Sequence, residues 1–140
     1  MDFAEHLKKY LSSNEINELI SSFDDEDEHA LLLNTEKISP ESFINMFSNI
    51  IPHPIVKNGY LYNKDEYSFG KNYMHDAGVY YLQEPSAMIV ASLLNPNEND
   101  IVLDMCAAPG GKTIQSSLLM KNEGLIIAND LSYTRAKVLS

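Results

Sequence analysis

Residues 101–130 alternate in a way that commits this stretch to parallel α/β architecture. Ile101-Val-Leu103 is a short apolar run closed by Asp104, and the residues from Cys106 to Gly111 are small. Ile114-Gln-Ser-Ser-Leu-Leu-Met120 reads as a helix, and Gly124-Leu-Ile-Ile-Ala-Asn-Asp130 reads as a second strand, again closed by an acid. Two strands joined through a helix pair side by side in the same direction. Small residues before the helix let a ligand approach the backbone, and free amides at the helix start attract negative or electron-rich groups. The segment is expected to form half of a nucleotide-binding crevice.

Two kinds of loop compete for residues 104–113. Gly111-Lys112-Thr113 matches the end of a P-loop, G-x-x-x-x-G-K-[ST]. That pattern requires a glycine where this chain has Cys106, and Pro109 removes one amide from the set that would wrap a phosphate. The alternative is a methyltransferase-type cofactor loop, in which an acid ends the first strand and small residues follow at every other position, here Asp104, Cys106, Ala108 and Gly110. Asp130 lies about 20 residues after the glycines, the spacing at which a carboxylate meets ribose hydroxyls. A dehydrogenase-type site shares this layout, but G-x-G-x-x-G is absent. Spacing alone gives a nucleoside-bearing cofactor and nothing finer.

Val102-Leu-Asp-Met-Cys-Ala-Ala-Pro-Gly-Gly-Lys-Thr113 resembles the cofactor motif of the Sun (Nop-type) family of RNA cytosine-5 methyltransferases. Tyr80-Tyr-Leu-Gln-Glu-Pro-Ser-Ala-Met88 resembles that family's hallmark just before its Rossmann core. Asn129-Asp130 with Arg135, and Leu33-Asn-Thr-Glu-Lys-Ile-Ser39, resemble it too. The likeness covers residues 30–140 and departs from it at Leu32, where bacterial members tend to have arginine.

The resemblance implies a partial Rossmann-like S-adenosylmethionine-dependent core over 73–140, preceded by a small α+β RNA-positioning domain over 1–72. It implies methylation of carbon 5 of a cytosine in RNA, with ribosomal RNA expected ahead of transfer RNA as substrate. Cofactor contacts are expected from Cys106, Ala107, Ala108, Pro109, Gly110, Gly111, Lys112, Asp130 and Arg135. In this family a cysteine thiolate attacks carbon 6 of the ring, making carbon 5 nucleophilic toward the methyl group. That cysteine belongs to a later motif, so no catalytic residue is assigned within the chain and Cys106 is expected to serve by its small size.

Composition sets bounds on this picture. An apolar fraction of 44% supports a globular core. No run approaches the ~20 apolar residues of a membrane span, and the early acids are unlike a signal peptide, so cytoplasm is expected. A single cysteine excludes an internal disulfide, and His6, His29, His53 and His75 lack metal-site spacing, so no metal is expected. The net charge of −10 is unusual for an RNA enzyme. Lys57, Lys64, Lys71 and Lys112 are the candidates for a local basic face, while Asp24-Asp-Glu-Asp-Glu28 reads as a solvated acidic loop. The balance suits a part that holds cofactor, with the main RNA grip elsewhere. Two strands are also fewer than the five or six of a usual doubly wound sheet, so a longer enzyme is expected.

Upstream, residues 3–12 and 14–23 repeat at helical spacing, the second with Asn14 as N-cap. Ala30-Leu-Leu-Leu-Asn34 reads as a strand, and Ser39 caps a helix with Pro40 in its first turn. Asn58-Gly59 within Ile55–Tyr62 signals a hairpin, and Pro52 and Pro54 bracket His53 in a loop. Residues 63–78 read as a connector. Tyr80-Tyr-Leu82 reads as a strand, and Pro85 opens a helix with Glu84 as cap or pocket residue beside Gln83. Ser132 is the N-cap expected for a last helix. The tyrosines could stack on unpaired bases, but packing accounts for most of them. Two other classes remain as competitors: a non-catalytic nucleotide- or RNA-binding module, and an NTPase using Gly-Gly-Lys-Thr.

Overall fold

The computed structural model describes residues 3–24 and 28–139. Helices α1 (Phe3–Leu7) and α2 (Ser13–Ser21) open the chain. They lead through a short 3-10 turn, Ser22–Asp24, toward strand β1 (His29–Leu33). Helix α3 (Pro40–Met46), β2 (Ile51–Pro52), β3 (Gly59–Tyr62), α4 (Tyr73–Asp76) and β4 (Tyr80–Leu82) complete a βαββαβ unit. Its sheet is antiparallel in the order β2-β3-β1-β4, the split βαβ arrangement. Helix α5 (Pro85–Leu94) then leads to β5 (Ile101–Asp104), α6 (Gly111–Leu119), β6 (Leu125–Ala128) and α7 (Tyr133–Ala136). Strands β5 and β6 are parallel, with Ile101 opposite Leu125 and Asp104 opposite Ala128.

Strand β1 is buried on both sides, which explains its unbroken apolar run. Successive side chains point to opposite faces. Leu31 and Leu33 meet Phe43, Tyr60, Phe69 and Tyr80 in one core, while Ala30 and Leu32 meet Val56 and Met88 in another. Ile89 and Leu118 pack against that second core, so α5 and α6 lie over the face opposite α3 and α4. Two buried polar side chains tie the layers. His53 Nδ1 accepts the amides of Ile55 and Val56 at 3.1 and 3.0 Å, leaving Nε2 to donate to Pro85 O at 3.3 Å. Gln115 Nε2 donates to Met88 O at 2.7 Å and Ser92 Oγ at 2.9 Å, joining α6 to α5.

Several local expectations shift. The N-cap of α2 is Ser12, not Asn14. Ser12 Oγ accepts Glu15 N–H, and Glu15 returns the bond to Ser12 N–H at 2.8 Å, a reciprocal box that Asn14 cannot form. Helix α1 stops at Leu7, where the amides of Tyr10 and Leu11 both turn onto Leu7 O. The Asn58-Gly59 hairpin does not form across Ile55–Tyr62. The bonds to His53 fold 54–58 into a loop, Asn58 turns at φ 61, and β3 pairs instead with β2 and β1. Pro52 therefore lies in a strand. Residues 63–78 are no mere connector, because Phe69 and Met74 enter the front core. Helix α6 starts at Gly111 rather than Ile114, with Ile114 N–H bonding Gly110 O. The acidic block 24–28 falls largely on residues 25–27, outside the described residues.

Candidate cofactor crevice

Asp104 and Asp130 stand where the tips of the two parallel strands open toward the loop 105–110, and backbone bonds lock that loop to both. Asn129 N–H donates to Asp104 O at 2.8 Å, and Ala107 N–H donates to Asn129 O at 2.9 Å. Asn129 Nδ2 donates to Met105 O at 3.3 Å. Asp104 binds forward onto α6. Its carboxylate accepts Thr113 Oγ1–H at 2.7 Å and Cys106 N–H at 3.3 Å. In the sequence Thr113 ends both the P-loop pattern and the cofactor motif without a role of its own, and this anchor was not legible there.

Asp130 is turned inward, its side chain only 4% exposed. It accepts Ala108 N–H at 3.3 Å and Ser132 N–H at 3.0 Å, and Arg135 Nη2 lies 3.6 Å from Oδ2. The same guanidinium donates to Ala108 O, so Arg135 bridges the loop and the acid. A carboxylate has about four acceptor positions. Two are taken by these amides, and the Arg135 guanidinium stands at ion-pair distance from Oδ2.

The glycines shape the opening. Gly110 has φ 122, a backbone state side chains avoid, and a Cβ there would project into space whose nearest atom is 3.5 Å away. Gly111 is different, because a Cβ would stand 2.8 Å from Gln83 Cδ. The first bond of α6 is Ile114 N–H to Gly110 O, so the amides of 111–113 precede it at the positive end of the helix. Ala107 and Ala108 are buried, whereas Cys106, Pro109 and Lys112 are exposed on the rim. The Ala108–Pro109 peptide is cis. The expected contact residues 106–112, Asp130 and Arg135 thus all gather around one loop.

Glu84 is committed to capping. Its carboxylate accepts Ser86 N–H and Ala87 N–H, and the Ser86 hydroxyl and amide hold it below the usual carboxylate range. Of the four lysines considered for a basic face, Lys64 and Lys71 line one groove, Lys57 another, and Lys112 stands at the start of α6. Among the described residues, no group of three or more His, Cys, Asp or Glu could hold a metal ion, and no helix is long and apolar enough to cross a membrane.

The model for the N-terminal domain of 16S rRNA methyltransferase RsmF matches residues 1–85, and that for 16S rRNA methyltransferase RsmB/F matches residues 91–140. The chain belongs to the RsmF family. Ribosomal RNA small subunit methyltransferase F of Shewanella frigidimarina is 34% identical over 99% of the chain, and that of Vibrio parahaemolyticus is 36% identical over 98%. The chain spans 30% of the length of each. Among solved structures, a methyltransferase homologue from Pyrococcus horikoshii superposes with a TM-score of 0.81 at 28% identity. It covers 91% of this chain and 43% of that one. NSun6 from Pyrococcus horikoshii with SFG gives a TM-score of 0.83 at 18% identity, over 97% of this chain and 60% of that one, a likeness of fold. RsmF-family membership accounts for both halves of the chain, the front βαββαβ unit and the β5–α6–β6 crevice.

Proposed function

We infer that the chain is the front portion of an S-adenosylmethionine-dependent methyltransferase that modifies carbon 5 of a cytosine in small-subunit ribosomal RNA, in the cytoplasm. The observation that carries this reading is the convergence of Asp104, Asp130 and loop 105–110 at the start of α6. Its residues suit the cofactor. Gly110 turns the chain into the helix start without a side chain, and Asp130 has acceptor positions beyond those its two amide donors take. The α6 amides and Lys112 suit the methionine carboxylate. Bound there, S-adenosylmethionine supplies the methyl group as an electrophile on sulfonium. Asp104 and Thr113 fix the helix against β5, and Arg135 keeps the loop on Asp130. Asp130 is nearly covered, so a grip on ribose hydroxyls requires the more exposed Arg135 side chain to swing aside.

We place the front domain through β4, because Tyr80–Leu82 pairs antiparallel with β1, and the methyltransferase core from α5 onward. A division after residue 72 would part β4 from the sheet that it closes. The thiolate that attacks the base is assigned to the remainder of the enzyme, not to Cys106.

The test is methyl transfer by the full-length protein, supplied with S-adenosylmethionine and 16S rRNA or small subunits, with nucleosides identified by mass spectrometry. The expected product is 5-methylcytidine in 16S rRNA. Methylation of transfer RNA alone, of another base, or binding without transfer would overturn the assignment. Cys106→Ser should keep kcat within about threefold of the parent, and a loss of a hundredfold or more would make Cys106 the nucleophile.

A further inference from the structure

In four-stranded βαββαβ modules that bind single-stranded RNA, bases stack on the sheet face left open by the helices. In this chain that face is closed, because Ala30, Leu32 and Leu61 pack against Met88, Ile89 and Leu118. The open surface lies instead at one end of the sheet, where β1 begins and β3 and β4 finish. There a groove of about 920 Å³ is lined by His29, Tyr62, Tyr67, Lys64, Lys71 and Gln83. A second groove continues from it past Asn49 and Ile51, sharing His29, Tyr62 and Lys64.

Resting on the reading above, we propose that this groove holds the unpaired nucleotides flanking the target cytosine. Three observations carry it. The rings of His29, Tyr62 and Tyr67 are each half-buried at the groove, with His29 tilted against Tyr62 at 5.8 Å. Tyr62 packs edge-on against Phe69 at 4.7 Å and Tyr67 lies 5.2 Å from the same ring, so both are rigid platforms. Lys64 and Lys71 are exposed at the groove and supply its positive charge. Gln83 lines the groove, and a Cβ on Gly111 would meet its side chain at 2.8 Å, so this glutamine stands between the groove and the start of α6.

The acids at the groove limit the kind of contact. Glu84 is turned onto the α5 amides, but Glu28 and Asp65 are exposed. The groove is therefore a stacking site with two phosphate contacts, not a long basic track, which agrees with a net charge of −10.

The test uses the full-length protein. The doubly substituted Lys64→Ala/Lys71→Ala variant should raise KM for RNA about tenfold, with kcat and affinity for S-adenosylmethionine kept, and flatten the salt slope of RNA binding by roughly 1.4. Lys57→Ala, on the other side of the sheet, should change none of these. An unchanged KM in the double variant, or an equal rise in the Lys57 control, overturns the proposal. RNA carrying 4-thiouridine beside the target should crosslink within residues 62–71, and crosslinks confined to other segments also overturn it. If the parent enzyme methylates no RNA, the functional assignment falls, while the crosslink still decides the groove.

Discussion

Gly124 has φ 78, and a Cβ there would stand 2.6 Å from Asp100 O and 2.9 Å from Glu98 O. Backbone cannot yield as a flexible side chain does, so Gly124→Ala should cost about 3 kcal/mol, read as a lower urea midpoint of the full-length protein. Gly110 contrasts with it, since a Cβ there would meet Leu139 and Ile114 only at ordinary contact distances of 3.5 and 3.7 Å, and the backbone angle is what resists a side chain. Arg135→Ala removes a bond from Ala108 O and a charge from Asp130. It should weaken S-adenosylmethionine binding about tenfold by calorimetry, with little change in melting temperature; undiminished affinity would remove Arg135 from the site. Asp130 was legible as an acid at a strand tip. Its inward posture was not, because that depends on Ala108 and Arg135, which reach it only after the loop has folded. Thr113 was hidden for the same reason: its partner Asp104 sits across the loop.

Among the elements, α5 shows how local signals succeed. Glu84, Pro85 and the apolar run were enough to locate it, since capping and proline geometry act within one turn. Glu84's carboxyl titrates below its unfolded value, so its contribution to stability is complete above the ordinary carboxylate range and is lost as pH falls through the lowered value. Glu84→Gln should flatten that part of the acid arm in a melting curve taken against pH. Strand β4 shows where local signals fail. Tyr80-Tyr-Leu82 says strand, but which sheet it joins is decided by β1 opposite it. There Tyr80 is buried and donates its hydroxyl proton to Phe69 O at 2.9 Å. Burial first, then the charges of Tyr62 and Asp76, push it up to about 12. The neutral phenol's contribution is full below the unfolded tyrosine value of about 10 and lost as pH rises from there through about 12. Melting temperature should fall over that interval, and Tyr80→Phe should lose much of the slope.

At the scale of the molecule, the β5–β6 sheet carries an apolar face that the described residues leave bare. Ile101 is 74% exposed and Leu103 59%, with Leu125 and Ile127 beside them on the neighbouring strand. Burying each would contribute on the order of 1–2 kcal/mol, and parallel sheets occur almost only with both faces covered. The 140 residues alone should therefore self-associate in sedimentation experiments and bind a hydrophobic dye, whereas the full-length protein should do neither. The α/β class was legible because strand, loop, helix and strand follow one another without interruption. The packing of the front sheet against α5 was not, since nothing in Ala30 or Leu32 names Met88 as a neighbour.

Helix α5 serves two masters, closing the front sheet on one side and bonding to α6 through Gln115 on the other. A hinge between the halves would have to pull Met88 out of its core and break the His53 clasp at Pro85. The two halves therefore turn as one rigid jaw, and the span from the proposed RNA groove to the proposed cofactor loop is set when the chain folds.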